Sequence, residues 1–163
     1  MVMASRAAML KWLGVSAVVI ALDLYTKHLV ASFLAYGDHW PVTSFFDLVL
    51  FHNEGAAFSF LASAGGWQRL LFSAFAIIAS VVILHLLRKH PENKRFCLAL
   101  ALVLGGALGN LHDRLVLGHV VDFLFFHYRE LYWPAFNVAD AAIFCGVVLL
   151  LWDELKKPSA ERS

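Results

Sequence analysis

Polar and apolar positions along the chain fall into four long apolar stretches separated by shorter mixed segments. A helix needs about 20 consecutive apolar residues to cross a hydrocarbon core of about 30 Å. That length is met at about residues 12–34, 67–87, 96–116 and 135–155. The second stretch is the cleanest, with His85 the only ionisable group between Leu70 and Leu87. Of the mixed segments, residues 35–66 contain a run from Val42 to Phe51, rich in β-branched and aromatic residues and followed by the turn formers Asn53-Glu54-Gly55. This run predicts a small sheet or hairpin lying on the membrane. Residues 117–134 are aromatic-rich and end at Pro134, which predicts a loop or short interfacial helix. The expected fold is an all-α membrane protein, residues 1–163 forming a single integral membrane domain on a four-transmembrane-helix bundle, with both mixed segments on its outer side.

Composition sharpens this reading. The chain is 61% apolar and 15% charged, against roughly 45–50% and about 25% in soluble proteins, which excludes disorder and an ordinary soluble domain. A net charge of +1 leaves no electrostatic footprint for nucleic acid. Cys97 and Cys145 each lie in an apolar run, which suggests packing residues rather than a disulfide or a cysteine zinc site. Nine of the 13 Lys+Arg, namely Arg6, Lys11, Arg88, Lys89, Lys94, Arg95, Lys156, Lys157 and Arg162, fall on the side of the N-terminus if there are four spans. The excess of positive charge marks that side as cytoplasmic. Aromatic belts agree, with Trp12 and Trp152 at the inner edge and Tyr36, Trp40, Trp67, Tyr132 and Trp133 at the outer. Arg6 and Lys11 before the apolar run Trp12–Leu22 look like the start of a signal peptide. The helical pattern continues through Asp23 and Lys27 without a small-residue cleavage site, so an uncleaved first span is expected.

Charges inside spans are expensive and mark function by default. At about 1.5 Å rise per residue, Asp23 lies about 16 Å from the inner edge, Asp113 about 25 Å, and Asp140 about 7 Å below the outer edge. All fall in the outer half. Asp23 and Lys27 share a helix face at i,i+4, Asn110 with Asp113 and Arg114 forms a second polar stripe, and Asn137 with Asp140 a third. Gly105 and Gly109 make a small-residue surface on the third span that would let a neighbouring helix bring these stripes together. One reading of Asp23–Lys27 and Asp113–Arg114 is that they only pair to hold the bundle. Asp122 and Asp140 lack a basic partner nearby in sequence. Two carboxylates sharing a low-dielectric site hold one proton between them. The ionised member can take a proton from water attacking an amide while the other stabilises the oxyanion. Proton relays in transporters use the same chemistry.

The runs Asp23-Leu24-Tyr25-Thr26-Lys27, Asn53-Glu54-Gly55-Ala56-Ala57-Phe58, Gly109-Asn110-Leu111-His112-Asp113-Arg114, Val120-Val121-Asp122-Phe123 and Phe136-Asn137-Val138-Ala139-Asp140 resemble, in order, the motifs of the bacterial lipoprotein signal peptidases, or signal peptidase II. The resemblance implies an aspartic endopeptidase of the bacterial inner membrane that removes the signal peptide from prolipoproteins, cutting before a cysteine carrying a diacylglyceryl group. It implies Asp122 and Asp140 as catalytic dyad. Asn53, Gly55, Asn110, Asp113, Arg114, Asn137, Asp23 and Lys27 become site-lining or supporting residues. Arg114 then either meets a substrate carbonyl or neutralises Asp113. Phe51 and Phe58 flank a β segment that either clamps the peptide as an added strand or serves as a membrane platform. The implied fold is four transmembrane helices with a periplasmic β-cradle and a short periplasmic helix or loop. It carries no cofactor or metal, works as a monomer in contact with membrane lipid, and is a target of the cyclic peptide globomycin. His112 departs from the family pattern, where an aliphatic residue is more frequent.

Two other readings come from the same residues. His112, His119, Asp122 and His127 gather at the outer edge, but no H-E-x-x-H signature accompanies them. A small proton-coupled transporter or channel subunit would also carry intramembrane acids, though it would often show internal repeats and broken helices at the midplane, and neither is visible here.

Overall fold

A computed structural model describes residues 2–54 and 67–156, the first six by backbone alone. Its elements are α1 (Val2–Ala31), β1 (His39–Thr43), β2 (Phe46–Asn53), α2 (Trp67–Lys89), α3 (Lys94–Val116), β3 (Val120–Tyr128), β4 (Leu131–Tyr132) and α4 (Val138–Lys156).

The helices α1, α2 and α4 all pack on α3, and the sequence of α3 explains why. A Cβ at Gly105 would come within 2.7 Å of Val19 on α1, and one at Gly109 within 2.6 Å of the Asp23 carboxylate. Hydrogen in those places lets α1 approach as the small-residue pattern predicts. At the end of the bundle away from the sheet Trp12, Ile83, Leu87, Cys97, Leu100, Ala101 and Leu104 form one core cluster. Trp12 is buried there, beneath the helices rather than in a membrane belt, whereas Trp40, Trp67, Tyr132, Trp133 and Trp152 are exposed.

Among the described residues three helices are long and apolar enough to cross a membrane: Ala8–Ala31 within α1, then α2 and α3. The most apolar stretch of α3 is 67% buried in the molecule, against 22% in α1 and α2. The outward faces of α1 and α2 show Val18, Leu22, Leu70, Phe75, Ile78 and Val81. Such faces are stable against lipid tails and not against water. Every 18-residue stretch of α4 includes Asp140, Asp153 and Glu154, more charge than the apolar windows of the other three helices.

Outside the bundle the strands form one antiparallel sheet in the order β1-β2-β3-β4. The run Val42–Phe51 turns at residues 44–45 and supplies the β1–β2 hairpin. Residues 117–134 are not the loop or interfacial helix expected, but contain strands β3 and β4. The succession Val120-Val121-Asp122-Phe123 is β-forming, and β2 offers it a partner edge that is 69 residues away in sequence, as between Asn53 and Asp122. Val121, Phe123 and Leu50 pack on Val30 and Leu34 at the end of α1, fixing the sheet to the bundle. Gly37, at φ 86°, makes the reversal between α1 and β1, a conformation glycine adopts without strain. Gly55 and Phe58, two of the residues singled out in the sequence, lie outside the described residues.

Candidate active site

The ends of α1, α3 and α4 nearest the sheet meet β3 around two linked clusters. In the first, the Lys27 ammonium of α1 donates to Asp23 Oδ2 at 2.7 Å, to Asn110 Oδ1 at 3.0 Å, and lies 2.9 Å from Asp113 Oδ2. An ammonium has three donors, so each of them finds an acceptor. Asp23 Oδ1 accepts from the Ala139 backbone at the start of α4 at 2.9 Å, and Asp113 Oδ2 accepts from Val121 N of β3 at 3.2 Å. Lys27, Asp23 and Asp113 are all buried. This node ties four elements together. The i,i+4 pair was legible, but Asp113 pairs with Lys27 across the bundle, not with its neighbour Arg114.

The second cluster holds the other two acids. Asn137 precedes the first residue of α4 and its Oδ1 accepts from Asp140 N at 2.9 Å, while Asp140 Oδ2 accepts from Asn137 N at 3.3 Å. This reciprocal pair is a capping box. The Asn137 side-chain nitrogen lies 2.7 Å from Asp122 Oδ1, 3.2 Å from Val121 O and 3.3 Å from Asn110 Oδ1. One residue thus touches both Asp122 and Asp140. Asn110 donates to Asp140 Oδ1 at 2.8 Å, and Asn53 of β2 donates to Asp122 Oδ2 at 3.0 Å. Among the described residues neither Asp122 nor Asp140 forms an ion pair. Burial, then repulsion from Asp140, pushes the Asp122 carboxyl up to about 7, against the amide hydrogen bonds and the more distant charge of Lys27.

Arg114 stands beside this cluster. Its Nη1 is 3.4 Å from Asn110 O, and its guanidinium lies 5.3 Å from the centre of the Phe72 ring of α2. Asp140, Asp122 and Asp113 all act on it electrostatically.

The histidines disperse. His127 Nε2 lies 3.2 Å from Asp47 Oδ1 and His39 Nδ1 3.3 Å from Asp47 Oδ2, a clasp across β1, β2 and β3. His119 stacks on His52 at 3.8 Å. His112 Nδ1 is 3.5 Å from Asp113 Oδ1 and its side chain is exposed. Among the described residues no three His, Cys, Asp or Glu side chains converge as metal ligands. Cys97 is buried and Cys145 exposed, both as free thiols. Asp47 and His39 escaped the sequence reading; their signal is the two-residue alternation that puts His39, Asp47 and His127 on one sheet face once the strand register is known.

The sequence and the fold have counterparts. A family model described as signal peptidase (SPase) II matches residues 15–156. The lipoprotein signal peptidase of Paraburkholderia phytofirmans is 55% identical over 159 residues, covering 98% of this chain and 92% of that protein. That of Ralstonia nicotianae is 57% identical over 146 residues, covering 90% and 84%. A solved structure described as a bacterial membrane enzyme, obtained by the in meso method at 2.3 Å resolution, superposes with a TM-score of 0.82 at 29% identity, over 92% of this chain and 90% of that one. The family model matches residues 15–156, most of this chain, and the chain belongs to the signal peptidase II family.

Proposed function

We propose that the chain is an aspartic endopeptidase of the bacterial membrane that removes signal peptides from prolipoproteins, with Asp122 and Asp140 as its catalytic pair. The observation that carries the assignment is their shared setting: two carboxylates held by the amides of Asn137, Asn110 and Asn53, with no cation paired to either among the described residues. Like charges so placed retain one proton between them. The ionised member removes a proton from water as its oxygen bonds to the scissile carbonyl carbon. The protonated member hydrogen-bonds the resulting oxyanion and then gives its proton to the departing amine. Proton and water suffice for this hydrolysis, so no cofactor is called on.

The substrate is a prolipoprotein whose cysteine carries a diacylglyceryl group, cut just before that cysteine. A reaction centre at the outer end of the helices suits it, because the apolar part of the signal peptide and the acyl chains can both stay in lipid. Four spans, with α4 as the last, place both termini in the cytoplasm and the sheet on the periplasmic side of the inner membrane, as the distribution of Lys and Arg favours. The protein acts as a monomer, its sheet forming a cradle for the peptide, and globomycin inhibits it. The proton-coupled transporter finds no support: the buried charges gather at one end of the bundle and the family is a peptidase family.

The test is a gel-shift cleavage assay on diacylglyceryl-modified precursor with purified wild type, Asp122→Asn and Asp140→Asn, and unlipidated precursor as control. Each variant is expected to insert normally and to lose at least about 10²–10⁴-fold in rate. Near-normal processing by either would remove the assignment.

A further inference from the structure

We infer that Phe72 of α2 is a positioning residue for the cleavage reaction, acting by holding the Arg114 guanidinium against its ring at the edge of the reaction centre. The inference rests on the peptidase reading above. Arg114 is half-buried, and its hold on the protein is otherwise thin. Its Nη1 contact to Asn110 O is 3.4 Å, at the long end for a hydrogen bond. Its Nε is buried without a hydrogen-bond partner, and among the described residues it forms no ion pair. Yet the negative charges of Asp140, Asp122 and Asp113 act on it, so it belongs electrostatically to the site.

An unrestrained guanidinium in that position would swing toward the nearest carboxylate and give Asp122 or Asp140 the cation that both lack. A permanent cation there favours ionisation of both acids and removes the shared proton. The Phe72 ring, with Arg114 Cζ 5.3 Å from its centre, opposes that movement. The negative face of the ring attracts the cation, and the attraction is stronger where water is excluded. Arginine is suited to such stacking because its planar group can lie on a ring and keep N–H donors for another partner. Those donors remain for the peptide backbone of the substrate. Phe72 carries no sequence signal for this role, being one aromatic residue in an apolar span, and the contact is visible only once α2 is seen packed on α3.

Replacing Phe72 by phenylalanines bearing one, two and three ring fluorines keeps its shape while weakening the negative face stepwise. The expected result on diacylglyceryl-modified precursor is a stepwise fall in kcat/KM, about three- to tenfold in total, with the unfolding midpoint unchanged. Phe72→Leu should fall at least as far, and should shift the Nε–H resonance of Arg114 downfield as the ring current disappears. A role in packing alone predicts equal activity across the fluorinated series. That flat series, or an Arg114 resonance indifferent to Phe72→Leu, would overturn the inference. The Asp122→Asn control separates the two claims: if it cleaves normally the dyad assignment falls, while the fluorine series still judges Phe72.

Discussion

Two pairs of acids sit side by side in this molecule, Asp140 half-buried and the other three buried, and they are treated in opposite ways. Asp23 and Asp113 share one ammonium, that of Lys27, which reaches both within 2.9 Å. Asp122 and Asp140 share no cation among the described residues, only amide donors. The Asn110 side chain touches both sets, accepting from Lys27 and donating to Asp140. The first cluster is an assembly joint, where removing one partner strands an uncompensated charge. The second is kept short of positive charge, and so retains the proton that acid–base chemistry needs. Placing the cation a few ångströms to one side is what separates structure from reactivity here.

If that contrast holds, Lys27→Met should destabilise the fold by about 3–5 kcal/mol, read as unfolding in detergent micelles, while Asp122→Asn, compared below pH 3.8 where Asp122 keeps its proton in both states, should stay within about 1 kcal/mol of wild type. Equal losses would erase the distinction. The next effect is in pH. Asp122 is protonated in both states at low pH. Between its ordinary value of 3.8 and about 7 the unfolded chain ionises while the folded site keeps its proton, so stability falls by a few kcal/mol as pH rises through that window and then levels. Asp122→Asn should remove this fall. Gly109→Ala would push a methyl group into the Asp23 carboxylate and should cost about 1–3 kcal/mol, with Lys27 displaced in the structure of the variant.

The smallest effect belongs to Asp47 on the neighbouring strand. Burial raises its carboxyl, but hydrogen bonds from His127 and His39 outweigh this and the net shift is downward. Its contribution is therefore present above about 3.8 and lost as pH falls below it, opposite in sign to that of Asp122. Asp47→Asn should lose about 1 kcal/mol at pH 7 and leave cleavage intact.

What the sequence disclosed was whatever lies within one helix or one short run. Apolar length gave the helices, i,i+4 spacing gave Asp23–Lys27, and the spacing of Gly105 and Gly109 gave the approach of a neighbouring helix, which the structure shows to be α1. The absence of nearby basic residues singled out Asp122 and Asp140. Contacts between elements were out of reach. Lys27 meets Asp113 only because α1 and α3 cross at Gly109, and Phe72 meets Arg114 only through the register of α2 on α3. The strand at Val120–Tyr128 was hidden because its partner β2 is remote in the chain, and Trp12 was placed in a belt because hydropathy does not tell a lipid-facing position from one inside a bundle.

The proton count of the Asp122–Asp140 pair can be followed by carboxyl carbon NMR of aspartate-labelled protein, with each Asn variant assigning its resonance. At pH 6 the proton on Asp122 should remain, leaving in a step near 7 that moves when Asp140 is replaced by Asn. Two independent titrations near 4, each ignoring the other residue, would show that the carboxyls do not share a site.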